Sequence, residues 1–527
     1  MDIANSFLVG IDVGTSGCKI ALFTPDGDIL FQGTTRYPTH YPQPGSVEQN
    51  PGDWWKAVCD GLRQMFHRTG IHPAHIKGIG VDGMSGAAVP VDRQGRALRN
   101  AMIWLDRRTV RQCETIAERI GAERLFAVSG NPISPSYVTG KVLWIKENEP
   151  DIYSRTEKVL QCNGYIVYKL TGRYSLDVSQ GNGFHAFNIE TLAWDETLCE
   201  RMGIAPELLP PIYRCSDVVG EVTLAAAAET GLAAGTPVVA GGLDAACAAL
   251  GAGAVLPGEV QEQGGQAGGM SIVMDRPVKN DKLILSGYVL PDRWILQGGT
   301  VGGGSLNWLK REFAGDAQDD FFAAANEAAS RIRPGSEGLL FLPYMAGERS
   351  PIWDPHARGV FLGLSFETTK GHMIRAIMEG CAMALRHNLV TAEASGVPVN
   401  ALHSVGGAAN STLWTQIKAD VTGKTFKIPS SDSAAALGAA ILAGIGSGVY
   451  KNGEDAVART VRMQREQTPI ADNERIYRDV FELYLECYER LKDLFQGWVG
   501  DAYESSGAAC AECNPGGGRC GSVSSAA

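Results

Sequence analysis

Two aspartates set among glycines are the residues of this sequence best suited to chemistry. The first, Asp12, stands in the stretch GIDVGTSGCK, where an apolar run leads into Gly14, Thr15 and Ser16. Glycine turns let backbone N–H groups approach phosphate oxygens, and hydroxyl groups add further donors. A carboxylate beside phosphate requires a cation between them, and Mg²⁺ accepts one or two carboxylates while it bridges phosphates. The stretch therefore favours a phosphate loop with Mg²⁺, and a β-hairpin with a solvated aspartate is the alternative.

The second aspartate, Asp244, stands in VVAGGLDAACAALGAG, after a buried apolar run and two glycines and before an alanine-rich helix. A carboxylate at the carboxyl end of a strand faces the crevice in which open α/β sheets bind ligands. Phosphoryl transfer to a hydroxyl group requires a positioned carboxylate that accepts the hydroxyl proton. A helix N-cap is the alternative interpretation, and the two roles are compatible.

A second glycine hairpin repeats the pattern of the first about 250 residues later. The stretch VQEQGGQAGGMSIVM, from Val260 to Met274, places Gly265 and Gln266 at its apex. One such hairpin near the start of each half indicates a duplicated protein with two lobes around a shared cleft. We place the lobes at residues 1–256 and 257–496, and we expect a disordered tail at 497–527, where the periodic pattern stops.

Two further glycine turns are candidates for an adenine site. SVGGAANSTLW contains Gly407 and Ser411, and GGTVGGGSLNWLKRE contains Gly303 and Asn307. In each, open glycine backbone precedes a predicted helix, so a flat base can lie against it, although a tight strand-to-helix turn is the alternative. Neither glycine hairpin has the spacing of a Walker loop or of a dinucleotide-binding fingerprint.

Composition and charge limit the class of protein. Of 527 residues, 44% are hydrophobic and 20% charged, which is typical of a globular protein with a large core. The net charge of −11, without a Lys/Arg-rich run, argues against nucleic acid or an anionic membrane as a partner. No apolar run reaches the roughly 18 residues that a membrane span requires, and the N-terminus lacks a signal pattern, so we expect a cytoplasmic protein.

The twelve cysteines divide into two groups. Nine are scattered from Cys18 to Cys487 and are predicted to be reduced, buried thiols. The other three, Cys510, Cys513 and Cys520, lie in the predicted tail. A zinc site there would need a fourth protein ligand, so a disordered tail is the favoured interpretation. Along the rest of the chain, strand and helix signals alternate, which favours an α/β architecture.

One long segment gives a family resemblance. LPYMAGERSPIWDPHARGVFLGLS, residues 342 to 365, resembles a signature segment of the FGGY carbohydrate kinases almost residue for residue. Supporting matches, which place the resemblance over roughly residues 8 to 490 and closest to the xylulokinase subgroup, are GIDVGTSGCK, WLDRRT, KVLWIKENEPDIY, YIVYKLTGRYSLDVS, AGGLDAACAALGAG and ADVTGKTFKIPSSDSAAALGAAILAG.

The resemblance implies an α/β fold with two actin-like (RNase H-like) lobes, in which ATP and a sugar meet in a central cleft. It implies that Asp12 is associated with Mg²⁺ and that Asp244 is the catalytic base beside the sugar. The implied phosphate-loop positions are Gly14, Thr15, Ser16, Gly265 and Gln266. The implied adenosine-pocket positions are Gly303, Asn307, Gly407 and Ser411. The implied sugar contacts are Met84, Ser85, Trp104 and Asp106.

Two departures from the family pattern leave open which sugar is bound and how the γ-phosphate is held. Ser85 stands in the turn DGMSG where xylulokinases carry histidine, and Gln266 replaces the threonine of the second phosphate loop. Serine has a shorter reach than histidine, and one lost hydrogen bond can change sugar discrimination by orders of magnitude.

We therefore predict an ATP- and Mg²⁺-dependent kinase that phosphorylates a primary hydroxyl of a ketopentose, with a homodimer expected from the resemblance. The alternatives are a family kinase for ribulose, L-xylulose, glycerol or a deoxy sugar, and a non-catalytic sensor of sugar or nucleotide. An actin-like or Hsp70-like ATPase switch has the same kind of fold, but it would not be expected to carry GERSPIWDPHARG.

Overall fold

The computed structural model describes residues 6–313, 321–430 and 433–505. The strands are β1 (Phe7–Val13), β2 (Gly17–Phe23), β3 (Ile29–Arg36), β4 (Glu48–Gln49), β5 (Ile76–Gly83), β6 (Val89–Val91), β7 (Ala101–Met102), β8 (Lys158–Leu160), β9 (Leu176–Asp177), β10 (Phe187–Asn188), β11 (Ala193–Trp194), β12 (Ile212–Tyr213), β13 (Val218–Glu221), β14 (Pro237–Val239), β15 (Gly242–Leu243), β16 (Glu259–Gly264), β17 (Ala267–Met274), β18 (Ile284–Gly287), β19 (Trp294–Val301), β20 (Leu340–Leu342), β21 (Val360–Leu362), β22 (Ala401–Val405), β23 (Thr425–Pro429) and β24 (Met463–Gln467).

The α-helices are α1 (Pro51–Thr69), α2 (Val110–Ile120), α3 (Ala122–Ser129), α4 (Val138–Asn148), α5 (Pro150–Arg155), α6 (Cys162–Thr171), α7 (Glu196–Met202), α8 (Leu224–Thr230), α9 (Asp244–Gly251), α10 (Gly304–Phe313), α11 (Phe321–Ser330), α12 (Lys370–Ala394), α13 (Thr412–Thr422), α14 (Ala434–Gly446), α15 (Gly453–Thr460) and α16 (Ala471–Ser505).

The first large sheet is built around a hairpin with parallel strands on one side. Its order is β13-β14-β5-β1-β2-β3, and β15 also pairs with β5. Strand β2 runs antiparallel to both β1 and β3, whereas β5 runs parallel to β1, and β14 and β15 run parallel to β5. Because β1 and β5 are covered on both faces, they read as nearly continuous apolar or glycine runs.

The second large sheet repeats the plan of the first. Its order is β18-β19-β17-β16-β22-β23-β24, with the hairpin β16–β17 at its centre and β22 parallel to β16. The core orders β3-β2-β1-β5-β14 and β19-β17-β16-β22-β23 therefore correspond strand by strand, with the same parallel and antiparallel pairings. The duplication predicted from the two glycine hairpins is confirmed by this repeated topology.

Helix α14, from the second half of the chain, packs directly on the first sheet. A Cβ atom added to Gly10 of β1 would lie 1.9 Å from the carbonyl oxygen of Ala436, and one added to Gly80 of β5 would lie 1.9 Å from that of Ala439. Helix α9 makes the same kind of contact, since a Cβ on Gly438 would lie 1.9 Å from the carbonyl oxygen of Cys247. The two halves of the chain are thus joined by helix and strand backbones in close contact.

The structure tests three expectations, on the C-terminal tail, on the cysteines and on membrane-spanning helices. Helix α16 continues to Ser505, beyond Gly497, where we expected the tail to begin, and Cys510, Cys513 and Cys520 lie outside the described residues. The nine cysteines from Cys18 to Cys487 are free and buried, as predicted. Within the described ranges, no helix combines the length and apolar character that crossing a bilayer demands.

We expect Gly80→Ala to destabilise the chain by about 3 kcal/mol, because its methyl group would overlap the backbone of Ala439 in a packed core. Urea unfolding followed by circular dichroism measures the change. Gly497→Ala is the matched control: that glycine is exposed in α16 with open space around its Cα, so alanine should raise stability by up to about 1 kcal/mol. Equal stability of Gly80→Ala and the wild type would contradict the packing argument.

Candidate active site

Three aspartates meet at the carboxyl ends of three neighbouring parallel strands. Asp12 near the end of β1 pairs in register with Asp82 near the end of β5, and Asp82 in turn pairs with Gly242 of β15. Asp244 directly follows β15 as the first residue of α9. Sequence analysis singled out Asp12 and Asp244 but missed Asp82, although GVDGM resembles GIDVG in placing an aspartate at the glycine-rich end of an apolar strand.

The three carboxylates act on one another electrostatically. Burial, and then the charge of Asp12, raises the pKa of Asp244 to about 7. Burial also raises the pKa of Asp12, although Lys19 on the adjacent strand opposes that shift. Asp82 is completely buried, and its pKa is raised well above the usual value by burial and by both neighbouring aspartates. Asp12 and Asp244, by contrast, are partly accessible from the cleft.

The first glycine hairpin presents N–H groups outwards. The phenolic hydroxyl of Tyr37 donates to the carbonyl oxygen of Gly14, and the side-chain amide of Gln49 donates to that of Thr15 at 2.7 Å. With the carbonyls held against the protein, the backbone N–H groups of Thr15 and Ser16 have no partner in the part of the chain that the structure describes. Free backbone N–H groups in a turn are suited to binding an anion, and the phosphate-loop role of this turn stays a prediction.

The second hairpin is joined to one of the candidate adenine turns. The N–H of Gly303 donates to the carbonyl oxygen of Gly265 at 2.7 Å, and the N–H of Gly304 donates to that of Gln266 at 2.9 Å. The side-chain amide of Asn307 donates to Oε1 of Gln266 at 2.6 Å. The structure therefore brings Gly265, Gln266, Gly303 and Asn307 together. A threonine side chain at position 266 is too short to reach Asn307, so the glutamine stabilises the contact between the second hairpin and the start of α10.

The other adenine turn lies across a small cavity from the first. Gly303, Ala408 and Trp414 all line this cavity. Gly407 is exposed, with open space where a Cβ would stand. Ser411, in contrast, is occupied as the N-cap of α13: its hydroxyl accepts from the N–H of Trp414 at 3.0 Å and donates to Asn326 at 2.5 Å. The glycine backbone, rather than the serine hydroxyl, is left free to meet a base.

The candidate sugar contacts divide into available and engaged side chains. Trp104 and Ser85 are partly accessible; the indole N–H of Trp104 donates to the hydroxyl of Thr15 at 3.1 Å, and Ser85 donates to Asn182 at 3.3 Å. Met84 is buried. Asp106 is completely buried, and its oxygens accept from the N–H of Val47 and from the Arg108 guanidinium. Its carboxylate is therefore fully used inside the protein.

Lys141 holds the segments that carry these side chains. Its buried ammonium group donates to the carbonyl oxygens of Gly86 at 2.5 Å, Ile103 at 2.8 Å and Ser136 at 2.9 Å. Gly86 follows Ser85, and Ile103 precedes Trp104, so one side chain holds both segments that carry candidate sugar contacts. Burial lowers the pKa of Lys141 to about 7. The residue lies within the quoted segment KVLW, but its role depends on contacts between distant segments.

Arg349, in the GERSP segment of the second half, reaches the first half. Its guanidinium carbon lies 5.8 Å from the centroid of the Trp104 ring, a cation–π distance. Gly299 makes room for it, since a Cβ there would lie 2.6 Å from the guanidinium. Trp104 thus contacts Thr15 of the first hairpin through its indole N–H and Arg349 of the second half through its ring.

Comparisons with known proteins agree along nearly the whole chain. The N-terminal domain model of the FGGY family of carbohydrate kinases matches residues 7–251, and the C-terminal domain model matches residues 268–447. Xylulose kinase of Bacillus subtilis (strain 168) is 31% identical over 492 residues, or 93% of this chain and 98% of that protein. Gluconokinase of the same organism is 30% identical over 509 residues, or 93% and 97%.

A solved structure shows the same similarity. The crystal structure of xylulose kinase from Rhodospirillum rubrum matches with a TM-score of 0.86 at 28% sequence identity. The match covers 93% of this chain and 100% of that one.

We expect Lys141→Met to destabilise the chain more strongly as the pH rises. The pKa of Lys141 is 10.5 without the fold and about 7 in the folded chain, so between these values only the unfolded chain binds the proton. The wild type then gains about 1.4 kcal/mol of stability per pH unit relative to the methionine variant. Urea unfolding of both proteins at pH 6, 7.5 and 9 measures the difference.

The exposed Lys146→Met, on the same helix, controls for the loss of a lysine side chain. If the free energies of unfolding of Lys141→Met and the wild type differ by the same amount from pH 6 to pH 9, the lowered pKa of Lys141 in the folded chain is contradicted.

Proposed function

The chain belongs to the FGGY family of carbohydrate kinases, and from that premise we propose that it transfers the γ-phosphoryl group of ATP to a primary hydroxyl of a ketopentose of the xylulose type. The predicted family, enzyme class and two-lobe α/β fold are confirmed by the matching family models and by the xylulose kinase structure. Kinases of this family use ATP as the phosphate donor. The sugar itself and the residue roles below are proposals.

The position of Asp244 carries the proposed mechanism. One oxygen of its carboxyl group accepts the N–H of Ala245 at 2.6 Å, which orients the group at the start of α9. The other carboxylate oxygen accepts the proton of the sugar hydroxyl. At the same time the sugar oxygen forms a bond to the γ-phosphorus, and the bond between that phosphorus and the ADP oxygen breaks. A pKa near 7 suits this exchange, because a base works best when its pKa is close to the working pH.

The two hairpins hold the phosphates in this proposal. The N–H groups of Thr15 and Ser16 bind phosphate oxygens from the first lobe, and the Gly265–Gln266 turn binds them from the second. Asp12, partly exposed beside the first hairpin, has the oxygen ligands that Mg²⁺ prefers, and bound Mg²⁺ would neutralise charge on the phosphates. Adenosine lies against the glycine backbone at Gly303 and Gly407.

The sugar lies between Asp244 and the accessible side chains of Trp104 and Ser85. The engaged carboxylate of Asp106 and the buried Met84 shape this surface from below, so we assign them supporting roles rather than direct sugar contacts. Arg349 connects the second lobe to Trp104, which favours a closed arrangement that excludes water, the competing phosphoryl acceptor. The lobe boundary at residue 256, the homodimer and the cytoplasmic location stay predictions.

A second candidate substrate follows from the relatives. Gluconokinase of Bacillus subtilis is 30% identical to this chain, almost the same as the 31% of the xylulose kinase. Gluconate, a sugar acid, is therefore the most relevant competitor to a ketopentose.

A panel of sugars assayed by ADP release with ATP and Mg²⁺ tests the substrate. We expect D-xylulose to give the highest kcat/KM, above ribulose, L-xylulose, gluconate and glycerol. The highest value for gluconate, or turnover of glycerol alone, would contradict the ketopentose proposal. If no sugar stimulates ADP release while ADP still binds, the non-catalytic sensor is the correct alternative.

Asp244→Asn should lower kcat by about 10²- to 10⁴-fold while leaving the Kd for ADP nearly unchanged, since the carboxylate serves proton transfer rather than nucleotide binding. In the wild type, kcat/KM should rise with pH through about 7 and then level off, because Asp244 accepts a proton only when it is ionised. Initial rates from pH 5.5 to 9 and calorimetric titration of ADP measure both effects. Near-normal turnover of the variant would refute the assignment.

A further inference from the structure

One segment of the first half, residues 177–183, contacts two parts of the proposed sugar site. The side-chain amide of Gln180 donates to the carbonyl oxygen of Gly83, in the turn DGMSG, at 2.9 Å. The hydroxyl of Ser179 accepts from the N–H of Leu243, which directly precedes the proposed base, at 2.8 Å. The segment is therefore fixed beside both the turn that carries a candidate sugar contact and the residue that receives the sugar proton.

Asn182, in this segment, has a polar group that the protein leaves unused. The residue is only 4% exposed, and its side-chain oxygen Oδ1 accepts from the hydroxyl of Ser85 at 3.3 Å. Its nitrogen Nδ2 has no acceptor among the residues that the structure describes, yet this atom is not fully enclosed by them. Nδ2 therefore reaches the surface next to the partly accessible Ser85. A buried amide that is held on one side and open on the other is suited to a polar ligand.

Ser85 and Asn182 together offer one acceptor and one donor. Because the hydroxyl proton of Ser85 is directed at Asn182, the lone pairs of that hydroxyl are free to accept, and the N–H bonds of Nδ2 are free to donate. A sugar hydroxyl both donates and accepts, so one such hydroxyl is able to donate to Ser85 and to accept from Asn182. Ser85 stands where the family pattern has the longer histidine, and the amide beside it supplies a polar group with the reach that serine lacks.

We propose that Asn182 is a sugar-binding residue, whose Nδ2 donates a hydrogen bond to the sugar hydroxyl that Ser85 also contacts. This role rests on the proposed sugar-kinase function and adds to it a residue that contacts the substrate directly. Sequence analysis missed Asn182, because GNGF has no recognisable spacing. Its position depends on a contact with a turn 97 residues earlier in the chain.

Calorimetric titration of the full chain with D-xylulose and with gluconate, at pH 8, tests this assignment without measuring phosphoryl transfer. We expect Asn182→Asp to weaken sugar binding about tenfold, because aspartate still accepts from Ser85 but replaces the free donor with an acceptor. Asn182→Ala, which adds no charge, should show the same loss. The Kd for ADP and the melting temperature should stay close to those of the wild type.

Asn188→Ser is the matched control for changing an asparagine in the same part of the chain. The side chain of Asn188 accepts from the N–H groups of Glu190 and Thr191, a local turn contact that a serine hydroxyl also makes. This variant should retain the wild-type sugar affinity.

Two results would overturn the proposal. One is wild-type sugar affinity in folded Asn182→Asp, which would show that the side chain of Asn182 only positions Ser85. The other is a wild-type chain that binds neither D-xylulose nor gluconate. Binding of gluconate alone would contradict the ketopentose proposal, whereas a tenfold loss of that binding in Asn182→Asp would still support the sugar contact. The outcomes of the two proposals therefore remain separate.

Discussion

The close contact between helix α14 and the backbone of β1 and β5 is the constraint on which the rest of the structure depends. Gly10 and Gly80 allow the carbonyl groups of Ala436 and Ala439 to approach where any side chain would intrude. Helix α14 comes from the second half of the chain, yet it supports from one face the two strands that end in Asp12 and Asp82. On its other side, Gly438 touches α9, whose first residue is Asp244. One helix thus packs against all three elements that carry the aspartates.

The chemistry of the site follows from holding like charges at fixed positions. Three carboxylates on adjacent strand ends would separate if the strands could move, because their repulsion in a buried place is large. The rigid packing prevents this, and burial, followed by the charge of Asp12, raises the pKa of Asp244 to about 7, which suits a proton acceptor. Burial, together with Asp12 and Asp244, also raises the pKa of Asp82 well above its usual value.

The contacts of Trp104 connect the three functions of the cleft. Its indole N–H donates to Thr15 of the phosphate loop, its ring is contacted by Arg349 of the second lobe, and its segment is held by Lys141. Since Lys141 also holds the turn that carries Ser85, the proposed sugar surface is assembled from several segments of the first lobe. The signature segment 342–365 therefore also has a structural role, because its Arg349 contacts Trp104 from the second half of the chain.

The sequence by itself determined the family, the α/β class, the duplication and the two glycine hairpins, because these depend on local pattern and on residue identity within short segments. It also singled out Asp12 and Asp244, which stand beside recognisable turns. Only the tertiary structure showed that Asp82 is their neighbour. It also showed that the carboxylate of Asp106 accepts hydrogen bonds from Val47 and Arg108, and that Gln266 accepts one from Asn307. These facts depend on register between strands far apart in the chain and on which polar groups find partners on folding. A one-residue change of register would turn Asp82 to the other face of its sheet, and no local pattern reports that choice.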